Sequence, residues 1–164
     1  MTEALNNPIL KEKADFTLPN GVTVQIAPLK QDNFENLTKW IRRRYMQNIR
    51  MVLEDFPLEE QEKLLNRAVK DAALMSVKTE EGLQVLYESV YGYARLCYEL
   101  IQEPPFTFDE FSKIIFPDPT NHSLYIDVLS KMFFTVYDEM FIENVSYMFG
   151  EKFMEEMGMK QDEQ

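Results

Sequence analysis

The sequence predicts a mainly helical α+β protein, in which an N-terminal β-hairpin is followed by a bundle of about five helices. Residues 22–26 alternate apolar and polar side chains, which is the period of a half-buried strand. After residue 31, apolar residues recur every three or four positions, which is the period of an amphipathic helix. Prolines and cap residues then divide this helical part into separate segments.

The β-hairpin is predicted at residues 15–29. Val22, Val24 and Ile26 supply the apolar positions of its second strand. Residues 19–21, Pro-Asn-Gly, supply the turn, because Asn and Gly accept the positive φ angles that a tight hairpin needs. A two-stranded hairpin is marginally stable in water. We therefore expect it to dock on the helices or on a partner protein.

The first two predicted helices are separated by a proline. Asp32 and Glu35 have the spacing of a capping box, so we expect the first helix to begin at this point and to run to about Asp55. Pro57 marks the start of the second helix, because proline is favoured in the first turn. Its apolar positions extend to Met75.

A third helix is predicted after Thr79, which is a favourable N-cap residue. Its apolar stripe continues to Ile101, so we expect one helix over this whole stretch. Gly92 lies inside it, and glycine costs a helix interior about 1 kcal/mol relative to alanine. We interpret Gly92 as a sign of close packing between helices.

Two further helices are predicted in the C-terminal part. Residues 107–110, Thr-Phe-Asp-Glu, form a second capping box before a short helix. Prolines 117 and 119 end that helix. The last long helix is expected from about Ser123 to Phe141, and a continuation to Gly150 is left open.

The chain is predicted to form one domain over residues 15–150, with the hairpin at 15–29 and a helical body at 31–150. Residues 1–14 are polar and aperiodic, so we expect a flexible arm, and residues 151–164 are an acidic, Met-rich tail. A length of 164 residues is sufficient for one substantial core. We expect that core to contain the following side chains: Trp40, Ile41, Leu65, Leu86, Val90, Leu129 and Phe133.

The charge of the chain is strongly acidic, with a formal net value of −11. Such a charge repels a phosphate backbone, so we expect no nucleic-acid partner. Eight of the acids lie between Asp138 and Gln164, against only Lys152 and Lys160. We find neither a run of about 18 apolar residues nor a signal-peptide pattern, and the single cysteine fits a reducing compartment. We therefore expect a cytoplasmic protein that does not bind a membrane.

No cluster of residues predicts catalysis, a cofactor or a metal site. His122 is the sole histidine and has no cysteine near it, so we interpret it as a capping or surface residue. Cys97 falls within an apolar stripe, which indicates a small buried side chain rather than a nucleophile. Glu139 and Glu143 lie one turn apart but lack the Glu-x-x-His pairs of a bundle metal site. The sequence therefore predicts a non-enzymatic protein.

Arg42, Arg43 and Arg44, together with Lys39 and Arg50, form the basic cluster of the chain. Consecutive residues on a helix point about 100° apart, so the three arginines do not form one stripe. We interpret them as part of a solvated face paired with nearby acids. Contact with an acidic partner or a nucleic acid is the alternative.

Methionine and aromatic residues are frequent, with ten Met, twelve Phe and eight Tyr. Most of them are expected in the core. In the C-terminal segment, however, acids separate the apolar residues, and flexible Met side chains adapt to varied apolar partners. We predict that the hairpin and this segment bind a hydrophobic helix of a partner protein through the following residues: Val22, Val24, Ile26, Val145, Met148, Phe149, Phe153, Met154 and Met157.

Residues 16–29, Phe-Thr-Leu-Pro-Asn-Gly followed by Val-Thr-Val-Gln-Ile-Ala-Pro-Leu, resemble the start of small assembly proteins of tailed bacteriophages. These include the tail assembly chaperones and related tail or baseplate assembly factors. The resemblance is strongest over residues 15–29 and architectural beyond them. It implies a protein of the host cytoplasm that shields the hydrophobic, helical tape-measure protein and helps tube subunits to gather on it.

Other functions are left open. The main alternative is an acidic adaptor or regulatory protein that binds a host or viral protein through its C-terminal tail. An enzyme of unrecognised type is a third, disfavoured by the scarcity of His, Cys and Gly motifs. Self-association into a homo-oligomer is compatible with each of them.

Overall fold

The computed structural model of the chain describes residues 13–118, 120 and 123–137, and it is a mainly helical α+β fold with an N-terminal hairpin, as the sequence predicts. The two strands and six helices of the described residues are, in chain order, β1 (Ala14–Thr17), β2 (Thr23–Ile26), α1 (Gln31–Leu53), α2 (Leu58–Leu74), α3 (Glu80–Tyr87), α4 (Val90–Tyr98), α5 (Phe108–Ile115) and α6 (Ser123–Val136).

The hairpin docks on the helices of its own chain. β1 and β2 pair in antiparallel register, with Ala14 opposite Ile26, and Gly21 supplies the positive φ of the turn at 87°. The other edge of β2 pairs with the segment after α4: the Ala27 amide donates to the Leu100 carbonyl at 2.9 Å, and Ile26 forms a β-bridge with Ile101. These bonds satisfy the free edge of β2, which would otherwise be open to pairing with another chain.

The first helix begins differently from its prediction. Asp32 is not the N-cap, because α1 starts at Gln31 and Lys30 occupies the cap position. The Asn33 side-chain oxygen accepts a hydrogen bond from the Lys30 amide at 2.8 Å. Asn33 therefore fills the position of the capping box that we assigned to Glu35. The second prediction is confirmed, since α2 begins directly after Pro57.

The predicted third helix is in fact two helices. Thr79 caps α3 as expected, its hydroxyl accepting from the Gly82 amide at 3.1 Å. The helix then breaks at residues 88–89, and α4 restarts after Ser89. A Cβ atom on Gly92 would overlap the carbonyl group of Leu86, so this glycine permits the tight corner between the two helices. The inference of close packing at Gly92 is confirmed, while the single helix is wrong.

The capping box before α5 is confirmed in full. The Thr107 hydroxyl accepts from the Glu110 amide at 3.2 Å, and the Glu110 carboxylate accepts from the Thr107 amide at 3.0 Å. The start of α6 at Ser123 also agrees with its prediction. The helix ends at Val136, earlier than the predicted Phe141, because Tyr137 is already a β-bridge residue; the residues from 138 onwards lie outside the described part of the chain.

The core lies where the hairpin meets α1, α3, α4, α5 and α6. Of the predicted core residues, Ile41, Leu86, Leu129 and Phe133 are buried, and Trp40 and Val90 are partly buried against them. Leu65 was predicted wrongly, because it is half-buried on α2 and outside the core cluster. The largest fully buried side chains are Tyr93, Phe111, Phe133, Leu18, Ile26, Leu37, Ile41, Leu86, Leu96 and Leu100.

Candidate functional site

An open apolar groove of about 310 Å³ lies between the C-terminal half of α1 and the central part of α2. Helix α1 contributes its face from Tyr45 to Leu53, and α2 contributes its face from Leu64 to Asp71. Phe56, in the turn between the helices, lies at one end. The complete lining is Tyr45, Ile49, Val52, Leu53, Phe56, Leu64, Arg67, Ala68 and Asp71. Seven of these nine side chains carry no formal charge, so the site suits an apolar guest.

The groove exists because the α1–α2 pair extends beyond the core. All of residues 46–74 are described, and no apolar side chain among them belongs to the core cluster or packs against it. The two fully buried residues of α2 are alanines, Ala68 and Ala72. Alanines let the two helices approach but leave little side-chain volume to fill the space between them. The result is a groove rather than a filled interface.

Large apolar side chains are exposed around the turn between α1 and α2. Met51 is 79% exposed and Leu58 is 82% exposed, on either side of the turn. Val52 and Phe56, which line the groove, are also exposed. Isolated exposed apolar residues are common on proteins, but a concentration around an apolar groove is typical of a binding surface.

Charge is segregated along this helical pair. The turn and its flanks, residues 54–62, contain Glu54, Asp55, Glu59, Glu60 and Glu62 and no basic residue. The α2 stretch 63–70 has the opposite composition, with Lys63, Arg67 and Lys70 and no acid. The charged residues of the groove lining are Arg67 and Asp71, whose formal charges cancel, so the lining itself has no net charge.

The first turns of α1 are held by the buried carboxylate of Glu99, the residue that follows α4. Glu99 is 5% exposed, and its carboxylate accepts from the side-chain amides of Asn33 (3.3 Å) and Asn36 (3.0 Å). Arg95 pairs with the second oxygen at 2.8 Å. A buried charge with this many donors is stabilised in place. We interpret the cluster as the structural anchor that fixes the direction of α1, and hence of the groove.

The three consecutive arginines have three different environments. Arg42 donates to the carbonyls of Met75 (3.0 Å) and Ala73 (3.1 Å) at the C-terminus of α2. Arg44 lies over the ring of Tyr91, 5.9 Å from its centroid, and Arg43 is exposed. Among the described residues none of the three forms an ion pair, so the predicted pairing with nearby acids is not observed.

The hairpin residues that we predicted to bind a partner separate into two groups. Val24 and Ile26 point into the core and are 5% and 0% exposed, so they are not accessible to another protein. Their alternation in the strand was correctly recognised, but the buried face is covered by the chain's own helices. Val22, at the turn, remains exposed.

The other predicted partner-binding residues fall in the C-terminal segment. Val145, Met148, Phe149, Phe153, Met154 and Met157 lie outside the described residues, and this part of the prediction stays a prediction. The same holds for His122 and for the pair Glu139 and Glu143.

Cys97 is a buried apolar residue, as predicted. Its side chain has no exposed surface, its thiol lies 3.4 Å from the Leu129 carbonyl, and burial raises its pKa well above the ordinary value. A thiol with a raised pKa is a poor nucleophile at neutral pH. Within the described part of the chain, no three His, Cys, Asp or Glu side chains are grouped so as to hold a metal ion.

The groove was missed in the sequence because its lining residues follow the ordinary period of an amphipathic helix. Ile49, Val52 and Phe56 continue the same stripe as Ile41, and a stripe does not reveal which of its turns the core covers. The available signal was the set of acids at residues 54–62, which lie on both sides of Phe56 and Leu58. Charge interleaved with large apolar residues at a helix–helix turn is unusual for an interior.

Comparison with known proteins found no matching family model, no matching curated protein and no matching solved structure. None of the helices that the structure describes has the length and apolar character needed to cross a membrane. The case for function therefore depends on the geometry of the groove and on the sequence pattern.

Proposed function

We propose that this chain is a non-enzymatic assembly protein that holds a hydrophobic helical segment of a partner protein in the groove between α1 and α2. The observation that carries this proposal is the exposure of large apolar side chains that line the groove, with Val52 47% and Phe56 40% exposed. Burying such side chains against a partner is favourable, at about 25 cal/mol per Å² of apolar surface.

A helix is a suitable guest for this site. The groove runs between two helices, and its volume of about 310 Å³ accepts one or two large side chains from the guest. An amphipathic helix presents such side chains at intervals of three and four residues.

The partner that we propose is the tape-measure protein of a tailed bacteriophage, in the cytoplasm of the infected host. The resemblance of residues 16–29 to tail assembly proteins supports this identity, and the groove offers a surface on which an aggregation-prone apolar helix could be shielded. The acidic adaptor is distinguished from it by salt: an adaptor that binds through charge weakens steeply with ionic strength, whereas apolar docking weakens little.

The test is co-expression of this chain with the tape-measure protein of a tailed bacteriophage. We expect the wild-type chain to raise the soluble fraction of that protein and to co-purify with it at both 0.1 M and 0.5 M NaCl. Phe56→Asp places a charge in the groove and should abolish co-purification. Ile126→Asp is the matched control, because Ile126 has similar exposure, 36% against 40% for Phe56, and lies on α6, away from the groove lining.

Two results would contradict the proposal. If Phe56→Asp binds the partner as well as the wild type does, the groove is not the binding site. If neither solubility nor co-purification depends on the wild-type chain, the holding function itself is wrong. Circular dichroism of Phe56→Asp should remain that of the wild type, so that loss of binding is not loss of folding.

A further inference from the structure

We infer that two copies of this chain pair through α2, in antiparallel orientation, by an apolar stripe that does not line the groove. The stripe consists of Leu58, Leu65 and Val69. The pairing involves no other protein and does not depend on the proposed function. Its use, two grooves offered to one long apolar helix, rests on that function, since two linked sites bind more strongly than one.

The stripe is a separate face of α2. Leu58, Leu65 and Val69 are spaced by seven and four residues, which places them on one side of a helix. Leu65 and Val69 each come one position after a groove-lining residue, so the stripe lies about 100° around α2 from the groove. None of the three lines the groove or belongs to the core cluster.

The stripe is exposed although it is apolar. Leu58 is 82% exposed, Val69 is 54% exposed and Leu65 is half-buried. The fully buried residues of α2 are the alanines Ala68 and Ala72, which lie beside the stripe and not in it. A row of large apolar side chains left uncovered on a helix is typical of a contact with another molecule.

Charge selects a second α2 in antiparallel orientation as the occupant. Glu59 and Glu62 lie in the first turns of α2, and Lys70 lies in its C-terminal half. All three are exposed, none lines the groove, and within the described part of the chain none forms an ion pair. An antiparallel partner brings the acidic start of each helix to the Lys70 of the other, whereas a parallel partner opposes like charges.

The other charges of α2 do not change this preference. Two are acids and two are bases, so their formal charges cancel, and they are Glu60, Lys63, Arg67 and Asp71. Arg67 and Asp71 line the groove, on a different side of the helix from the stripe. The orientation is therefore determined by the charges that lie outside the groove.

One register satisfies the apolar and the charged positions together. Leu58 and Val69 are eleven residues apart, and so are Glu59 and Lys70. A two-fold axis beside Leu65, near the middle of both intervals, places Leu58 near Val69 of the second copy. The same axis places Glu59 near Lys70 of the second copy. The stripe is therefore self-complementary, as the contact surface of a symmetric dimer must be, and each contact occurs twice.

The size of the contact determines its strength. The 17 residues of α2 extend about 25 Å at 1.5 Å per residue. A helix face of that length and about 10 Å in width covers about 250 Å² in outline. A standard interface buries about 800 Å² on each partner. We therefore expect a weak, reversible dimer with a dissociation constant in the micromolar range or above.

Sedimentation velocity of the full-length chain, from about 1 μM to about 300 μM protein, tests this inference. A salt concentration of about 0.15 M screens the repulsion between two chains of net charge −11 beyond about 8 Å. We expect the average mass to rise with concentration from that of one chain, 19.4 kDa, towards that of two. Val69→Asp, which places an acid near Glu59 of the second copy, should weaken the dimer about tenfold or more.

Val52→Asp is the matched control for Val69→Asp. Val52 is the same residue type with similar exposure, 47% against 54%, but it lies on α1 and lines the groove. This control should leave the dissociation constant unchanged. Circular dichroism of both variants should match that of the wild type, so that a loss of pairing is not a loss of folding.

Charge reversal measures the orientation without altering the stripe. Lys70→Glu and Glu59→Lys should each weaken the dimer about fivefold, because each repulsive contact occurs twice in a symmetric pair. The double variant, which exchanges the two charges, should restore the wild-type dissociation constant. Lys39→Glu, an exposed lysine of α1, changes the net charge by the same amount as Lys70→Glu and should have no effect.

Three results would overturn the inference. A wild-type chain that keeps the mass of one chain at every concentration would exclude the pairing. Equal weakening by Val52→Asp and Val69→Asp would assign the contact to the groove. A double reversal that pairs no better than the single ones would exclude the antiparallel register. A single-chain protein that still holds its partner would leave the proposed function intact, so the two failures are distinguishable.

Discussion

The two halves of α1 belong to one continuous helix but lie in different surroundings. In the N-terminal half, Leu37 and Ile41 are fully buried against the body of the protein. In the C-terminal half, Met51 and Val52 are 79% and 47% exposed. The apolar stripe is as regular in the second half as in the first. The difference is what each half meets. The core covers the first half, whereas the second half meets mainly α2 and solvent beyond its contacts to Tyr91 and Glu88 through Arg44 and Asn48.

This contrast separates stability from binding in the molecule. The core cluster lies in the body of the protein, which consists of the hairpin, the N-terminal half of α1 and the helices α3 to α6. Residues 46–74, which we call the distal pair, are the part of α1 and α2 that lies beyond the core cluster. The distal pair contributes two buried alanines from α2 and leaves its larger apolar side chains half-buried or exposed. Substitutions in the body should therefore reduce the free energy of unfolding, whereas substitutions in the distal pair should mainly change binding. The following predictions measure that division.

The largest effect is expected at the corner between α3 and α4. Gly92→Ala adds a Cβ that would overlap the backbone carbonyl of Leu86, and a backbone group cannot move aside without breaking the corner. We expect a loss of about 4 kcal/mol or more in the free energy of unfolding, measured by urea denaturation. Gly21→Ala is the control: it has a positive φ of 87° but no atom within 4 Å, so about 1 kcal/mol is expected. Equal losses at the two sites would contradict the tight corner.

The second prediction compares two phenylalanines, one in each region. Phe133 is 1% exposed and packs against Tyr93 and Tyr137, so Phe133→Ala should cost about 3–5 kcal/mol. Phe56 lies in the groove and is 40% exposed, so Phe56→Ala should cost about 1 kcal/mol. Thermal and urea unfolding of both variants measure the difference. A loss at Phe56 as large as that at Phe133 would mean that the distal pair is part of the folding core.

Features that depend on residues near one another in the chain agree with the sequence in both regions. They are the caps at Thr79 and Thr107, the start of α2 after Pro57 and the turn at Gly21. The hairpin itself was recognised from strand alternation within five residues. These features depend on hydrogen bonds and dihedral angles that a few adjacent residues determine.

The features that the sequence did not predict depend on contacts between distant residues. Strand alternation could not show that Ile26 would meet Ile101 and so be buried by its own chain. The apolar stripe could not show that the core ends near Tyr45, leaving Val52 and Phe56 uncovered. The start of α1 at Gln31 also involves a distant contact, because the Asn33 side chain that accepts from the Lys30 amide donates to Glu99, the residue after α4.

The third prediction concerns alkaline pH and the end of the described chain. Burial raises the pKa of Tyr137 to about 12, from an ordinary value of 10.0, despite the hydrogen bond from the Leu29 amide. Because the folded state holds this proton more tightly than the unfolded state, the stabilisation is complete below pH 10 and is lost as the pH rises towards 12. Two pKa units correspond to about 2.7 kcal/mol.

Urea denaturation at several pH values between 8 and 12 measures this effect. The wild-type chain should lose stability steadily above pH 10, and Tyr137→Phe should reduce the slope while lowering stability at pH 8 by about 1 kcal/mol through loss of the hydrogen bond. Some slope should remain, since burial also raises the pKa of Tyr93 and of Cys97. An unchanged slope in Tyr137→Phe would contradict the assignment. The effect belongs to the body, where these three groups lie.

The smallest effect is expected where the two regions join. Arg42, in the middle of α1, donates hydrogen bonds to the carbonyls of Ala73 and Met75. It therefore caps the C-terminus of α2 and its positive charge opposes the partial negative charge of that helix end. Arg42→Ala should cost about 1 kcal/mol and should loosen α2, seen as faster amide hydrogen exchange in residues 68–74. Arg43→Ala, at the exposed neighbouring position, should change neither quantity. If both substitutions speed exchange equally, the positive charge of the arginine cluster, and not the hydrogen bonds of Arg42, holds α2 in place. If exchange in α5 and α6 also rises in Arg42→Ala, the distal pair and the body unfold as one unit, and the division drawn between them is wrong.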